Sequence, residues 1–139
     1  VTAARQANYI EGRLGLIIDG TGKDFDKIKN QSTRLKQLGY DVHMIFVNTS
    51  LDTALAQNAK RPRKLPDSMV TQLWNDVQKN IGKFSQLFRR NFIVVDNNDA
   101  KEDVFGQVYK QVMSLAKSKV QNPMGQKWIA NAIAMKRRM

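Results

Sequence analysis

The chain has 139 residues, 42% of them hydrophobic and 25% charged, which is the size and make-up of one folded domain able to bury a core. It carries a net charge of +11, implying polyanionic partners, phosphorylated ligands or anionic surfaces, and it has no cysteine, which excludes disulfides and thiolate metal sites. No apolar run approaches the roughly 20 residues of a membrane span, and the lack of cysteine and of a visible secretory leader points to a cytoplasmic setting. The pattern enters a helix within a few residues of Val1, so the chain is expected to begin inside a longer protein. Residues 2 to 11 place Ala, Tyr9 and Ile10 against Arg5, Gln6 and Asn8, a helical pattern that Gly12 can end. Ile10-Glu11-Gly12-Arg13 equals a processing-protease recognition tetrapeptide, but the pattern runs through it without a break.

Leu14 to Asp19 is an apolar run suited to a strand buried on both faces, and Gly20-Thr21-Gly22 then turns the backbone into a helix. Asp24 or Asp26 caps that helix, whose apolar positions Phe25, Ile28, Leu35 and Leu38 share a face, and Gly39 stops it. Tyr40 to Asn48 is a second strand, containing the single histidine, His43, in a placement that favours a structural role. Thr49 or Ser50 caps a short helix through Ala59. The loop from Lys60 to Pro66 holds four cations and two prolines, so it is neither helical throughout nor suited to burial.

Asp67 or Ser68 starts a long helix in which Met69, Val70, Leu73, Trp74, Val77, Ile81, Phe84 and Leu87 form one apolar stripe. Asn91 to Asp96 is a third strand. Asn97, Asn98 and Asp99 turn into a helix with Val104, Val108, Val112 and Leu115 on one face. Asn122-Pro123 opens a last helix ending in Lys136-Arg137-Arg138, where cations complement the helix dipole. Its narrow stripe of Met124, Trp128, Ala132 and Met135 needs a surface to cover it. The chain thus divides into an α/β domain over residues 1–121 and a basic helix over 122–139 that packs on the domain or on a partner. Three strands alternating with helices define an α/β fold with a parallel sheet of about three strands.

A strand closing on Asp-Gly-Thr-Gly, a helix ending in Leu-Gly-Tyr, a strand ending in Val-Asn, a helix and then Arg-Pro-Arg-Lys-Leu-Pro resembles the middle and C-terminal part of a P-loop kinase of the zeta-toxin and polynucleotide-kinase-like group. The resemblance covers roughly residues 9 to 100 and rests on order and spacing. No segment has the form G-x-x-x-x-G-K-[ST], and the family's upstream catalytic aspartate segment has no counterpart. The resemblance implies a P-loop NTPase-like fold in which the phosphate-loop strand lies between Leu14–Asp19 and Tyr40–Asn48. With that strand absent, either those two pair directly or a sheet edge is left open.

It also implies ATP and magnesium as cofactors and a phosphorylated or nucleotide ligand as partner. Asp19, at the sheet's C-terminal edge, is the candidate catalytic and magnesium-holding carboxylate, or else it only accepts from the turn N–H groups. Gly20, Thr21 and Gly22 offer backbone donors and a hydroxyl to substrate, or simply form the turn. Arg61 and Arg63 occupy the position of a phosphate-gripping lid, or of a solvated loop. Relatives often carry an arginine beside an asparagine late in the preceding helix, where this chain has Gln57-Asn58. Asp96, Asn97 and Asn98 fall where an adenine-contacting loop is expected, or form an Asx-rich turn. The basic residues outside the lid are scattered and lack interleaved aromatic groups, so nucleic acid is the weaker match. Two functions follow: part of an ATP-dependent phosphotransferase that is inactive without a phosphate loop, or a non-catalytic basic module that binds a polyanion or a partner subunit.

Overall fold

Phe84 is fully buried, and the rings of Phe25, Phe46 and Phe88 pack against it with centroids 5.5, 6.5 and 6.4 Å away. The four rings tie together the elements of the computed structural model, which describes residues 2–97 and 103–138. In chain order these elements are α1 (Thr2–Glu11), α2 (Phe25–Gln37), β1 (Met44–Asn48), α3 (Leu51–Ala59), α4 (Asp67–Phe88), a 3₁₀ turn (Arg89–Asn91), β2 (Phe92–Asp96), α5 (Asp103–Lys117) and α6 (Pro123–Arg138). Helices α2 and α3 pack on α4, and α5 packs on β2. The strands pair in parallel, in a register running from Met44 opposite Phe92 to Asn48 opposite Asp96. Ile28, Met44, Val77, Ile81 and Phe92 fill in around the aromatic cluster. Among the described residues, no helix is long and apolar enough to cross a membrane.

The mixed α/β class stands, but the sheet has two strands among the described residues. Leu14 to Asp19, expected as the first strand, runs without strand pairing, and Leu14, Ile17 and Ile18 are 53%, 83% and 48% exposed. The physical reason is that an apolar run becomes a strand only when a neighbouring strand completes its ladder. Here β1 and β2 serve each other, and no described strand lies beside residues 14–19. Of the two outcomes expected, direct pairing of this run with the following strand does not occur, and among the described residues the β1 edge away from β2 is left without a strand. The second strand is also shorter than expected: Tyr40 to His43 precede it, and His43 is half-buried just outside.

The helix ends follow from local chemistry. The Asp24 carboxylate accepts from the Lys27 N–H at 3.1 Å and caps α2, and the Ser50 hydroxyl accepts from the Thr53 N–H at 3.1 Å and caps α3. Gly39 takes φ +106° at the end of α2, with the Tyr40 N–H donating to Leu35 O at 3.0 Å and the Gly39 N–H to Lys36 O at 3.1 Å, a Schellman closure. The same closure ends α1, but the left-handed residue is Arg13 (φ 55°) rather than the expected Gly12. A side chain in that region costs roughly 1–2 kcal/mol. Arg13 offsets this by donating from Nε to Leu38 O at 3.1 Å, donating from a second nitrogen to Ile10 O, and lying 5.7 Å from the Trp128 ring centre.

Beside it, the Tyr40 hydroxyl donates to Leu14 O at 2.8 Å; burial raises its pKa, and the Arg13 charge opposes that rise. Helix α4 begins at Asp67 with Pro66 in the capping position, where no side chain caps it. Along its stripe Met69 is exposed and Phe84 buried, and Phe88, outside the expected stripe, is buried where Leu87 is only partly so.

Helix α6 touches the domain at its first turn. The Asn122 carboxamide accepts from the Met124 N–H at 2.9 Å and donates to Lys36 O at 2.9 Å and Tyr40 O at 3.1 Å. This cap lets Gly125 lie on Gly39, with no room between them for a side chain. Met124, Ile133 and Met135 remain exposed. Gly125→Ala would press a methyl group into the Gly39 carbonyl, so it should cost about 1–3 kcal/mol in denaturant unfolding. Gly82→Ala is the control: that methyl group meets open space within a helix and should add about 0.5–1 kcal/mol.

Candidate functional site

The carboxyl ends of parallel strands are where α/β proteins place ligands, and here β1 ends at a cleft of about 370 Å³. Val47, Asn48 and Thr49 form its strand wall, while Leu73, Trp74 and Val77 of α4 supply an apolar wall. Two hydrogen bonds tie these walls together. The Trp74 indole N–H donates to Thr49 O at 2.8 Å, and the Gln78 amide donates to Asn48 Oδ1 at 3.0 Å. Trp74 and Gln78 sit four residues apart and so share one face of α4.

Thr21 and Lys23 come to the cleft from the glycine loop, and Arg61 comes from the basic loop after α3. Among the described residues, no carboxylate lines the cleft. Two cations around a largely apolar floor, with no anion on its walls, suit a ligand that carries negative charge on an apolar body.

The residues expected from sequence divide between this cleft and the surface. Thr21 and Arg61, distant in sequence, line one cavity, whereas Asp19, Gly20, Gly22 and Arg63 do not line it. Asp19 and Gly20 lie on the exposed stretch before it. Gly22 has φ +73° and sits against the Phe46 and Phe84 rings, so its conformation serves the turn and the packing below it. Asp96 ends β2 opposite Asn48, and the Asn97 N–H donates to Asn48 O at 2.9 Å, carrying the parallel pairing one residue further. Asn98 lies outside the described residues. Among the described residues, no group of three or more His, Asp or Glu side chains is arranged to hold a metal ion.

Sequence reasoning passed over Lys23, Asn48, Trp74 and Gln78. Lys23 directly follows the Gly-Thr-Gly turn and was open to the charge argument applied to Arg61. The other three carry no signal beyond helical or strand spacing.

Helices flank a parallel strand pair, and a cationic cleft sits at the end of β1, the place where α/β folds set their ligand sites. The zeta toxin family model matches residues 1–133, and the chain belongs to that family. It is thereby a relative of the P-loop kinases, a group of nucleotide-binding proteins. Neither a curated protein nor a solved structure matches the chain.

Arg61 and Arg63 are both exposed, and the basic loop is held by backbone and by Asn58 rather than by either guanidinium. Replacing both with Ala should therefore change unfolding stability by no more than about 0.5 kcal/mol. A large fall in melting temperature would show that they are structural.

Proposed function

We propose that this chain forms the substrate and lid side of a zeta-toxin-like ATP-dependent phosphotransferase and is inactive unless a phosphate loop completes it. One observation carries the reading: Thr21, Lys23 and Arg61 meet around a cleft at the end of β1 that no described carboxylate lines. Phosphoryl transfer asks a protein mainly for positioning and for cations placed on the migrating charge. Arg61, with its planar fork of donors, would hold phosphate oxygens in pairs; Lys23 would act as a point charge, and the Thr21 hydroxyl would donate to a substrate oxygen. The apolar wall at Trp74 and Leu73 would keep water from that end of the ligand.

ATP and magnesium fit this residue set in part. The cations suit the phosphates of ATP. A magnesium ion, which keeps most of its waters and needs only one or two carboxylates, suits the isolated Asp19 but not a cage of protein ligands. When bound, magnesium neutralises charge on the transferring phosphate. Asp96 and Asn97, at the end of β2, would face the base of the nucleotide.

Calorimetry tests both parts of the proposal. Inorganic triphosphate should bind the 139-residue chain, and Arg61→Ala should weaken that binding about tenfold, the scale of one charged hydrogen bond. Mg-ATP should bind more weakly than micromolar, because its β- and γ-phosphates lack the glycine-rich cradle. A sub-micromolar constant for Mg-ATP would refute the incomplete-kinase reading.

A further inference from the structure

Two buried asparagines each spend the side chain on the backbone of a different loop of the cleft: Asn58 lines the cleft itself, whereas Asn80 borders a second cavity on the other side of Lys23. Asn58, 6% exposed near the end of α3, donates from Nδ2 to Leu65 O at 2.8 Å and accepts at Oδ1 from the Leu65 N–H at 3.1 Å. Asn80, 7% exposed on α4, donates from Nδ2 to Gly22 O and to Lys23 O, both at 3.0 Å. Both residues sit within helices, where asparagine is a poor former, and a buried amide is tolerated only when its bonds are made.

The bonded atoms matter for what the loops present. Leu65 closes the basic loop seven residues beyond Asn58, and the Arg61 N–H donates to Asn58 O at 3.1 Å, so one residue grips the loop that carries Arg61 at both ends. Asn80 grips the carbonyls on either side of the peptide bond leading into Lys23, more than fifty residues away in sequence.

We infer that Asn58 and Asn80 are positioning residues that fix the two loops before any ligand arrives, so that Arg61 and Lys23 face one cleft from opposite loops. The inference rests on the reading of that cleft as an anion site. A loop carrying several like charges would otherwise spread apart by repulsion, and each cation would have to be ordered at the moment of binding. A neutral amide holds the backbone without adding a carboxylate to a cleft that no described carboxylate lines. An aspartate at either position could not: it has no N–H to donate, and at position 80 it would set a carboxylate against two carbonyl oxygens.

The test combines exchange, proteolysis and binding. In the wild-type chain the Leu65 amide should exchange with solvent far more slowly than the Arg63 and Lys64 amides. Equal rates would overturn the role of Asn58, whether or not any ligand binds. Asn58→Ala, which removes both bonds and adds no charge to the cleft, should speed tryptic cleavage after Lys64 and weaken inorganic triphosphate binding about tenfold, as Arg61→Ala does.

The double variant should bind no more weakly than Arg61→Ala alone, because Asn58 acts through Arg61. Losses that simply add would mark Asn58 as a general stabiliser and overturn the inference. Asn80→Asp should show the same non-additivity with Lys23→Ala. If the wild-type chain does not bind triphosphate, the anion reading fails. The Leu65 exchange rate then decides the loop-fixing role by itself.

Discussion

Helix α4 carries Asn80 and Phe84 one turn apart on the same face, and that spacing joins the core to the site. Phe84, with no exposed surface, holds α2 through Phe25 and β1 through Phe46. One turn earlier, Asn80 takes hold of the loop that leads into α2. Gly22 lies on the Phe46 and Phe84 rings between these two contacts, so the loop is held by packing from below and by hydrogen bonds at its end. Further back along the helix, Gln78 and Trp74 fix the end of β1. A shift of α4 would therefore move the strand end, the glycine loop and the apolar wall of the cleft together. Each aromatic pair adds only about 0.5–1.5 kcal/mol beyond the area it buries, but those of Phe25, Phe46 and Phe88 converge on the Phe84 ring.

Neutral amides do much of the work around a strongly cationic chain. Asn80, Asn122 and Gln78 make contacts across long stretches of sequence and Asn58 across one loop, and each meets a carbonyl or another amide. Aliphatic stems and rings absorb other charges: Lys36 lies over the Phe88 ring at 5.8 Å and Lys83 over the Phe25 ring at 5.5 Å. Fixing the basic loop with an amide leaves the charge of Arg61 available to a ligand, whereas a carboxylate in the same place would pull on it; Lys23 already borders a second cavity that Asp24, Asp26 and Asp76 line.

Helices and caps were legible because their determinants are local. Asp24, Ser50 and Asn122 cap as their residue types and spacing require, and Gly39 takes the left-handed turn that its lack of a Cβ permits. Leu14 to Asp19 was misread because the strand signal is half of a pairing, and composition cannot say whether the other half lies nearby. Arg13 was hidden for a related reason: its unfavourable backbone is offset by Leu38 and Trp128, which only the fold brings near. In the cleft, the resemblance pointed to Thr21 and Arg61, while Asn58 had been noted only as the neighbour of a missing arginine. Its hold on Leu65 has no sequence signature, since asparagine near a helix end is commonplace.

The edge of β1 away from β2 has no strand partner among the described residues, and the apolar run at Leu14 to Ile18 is likewise unpaired. A parallel sheet is normally covered and extended, and an exposed edge invites pairing with another strand. Tyr40 and Arg13 anchor the near end of the run, through Leu14 O and through the turn that precedes it, but Ile17 stands almost wholly in solvent. Leaving such surface uncovered forgoes roughly 1.5–3 kcal/mol for each large apolar side chain that could be buried. The charge of +11 works against the simplest remedy, because two copies of the chain approaching edge to edge repel each other. The strand best suited to this edge is therefore extended, apolar and followed by backbone N–H donors rather than by more cations.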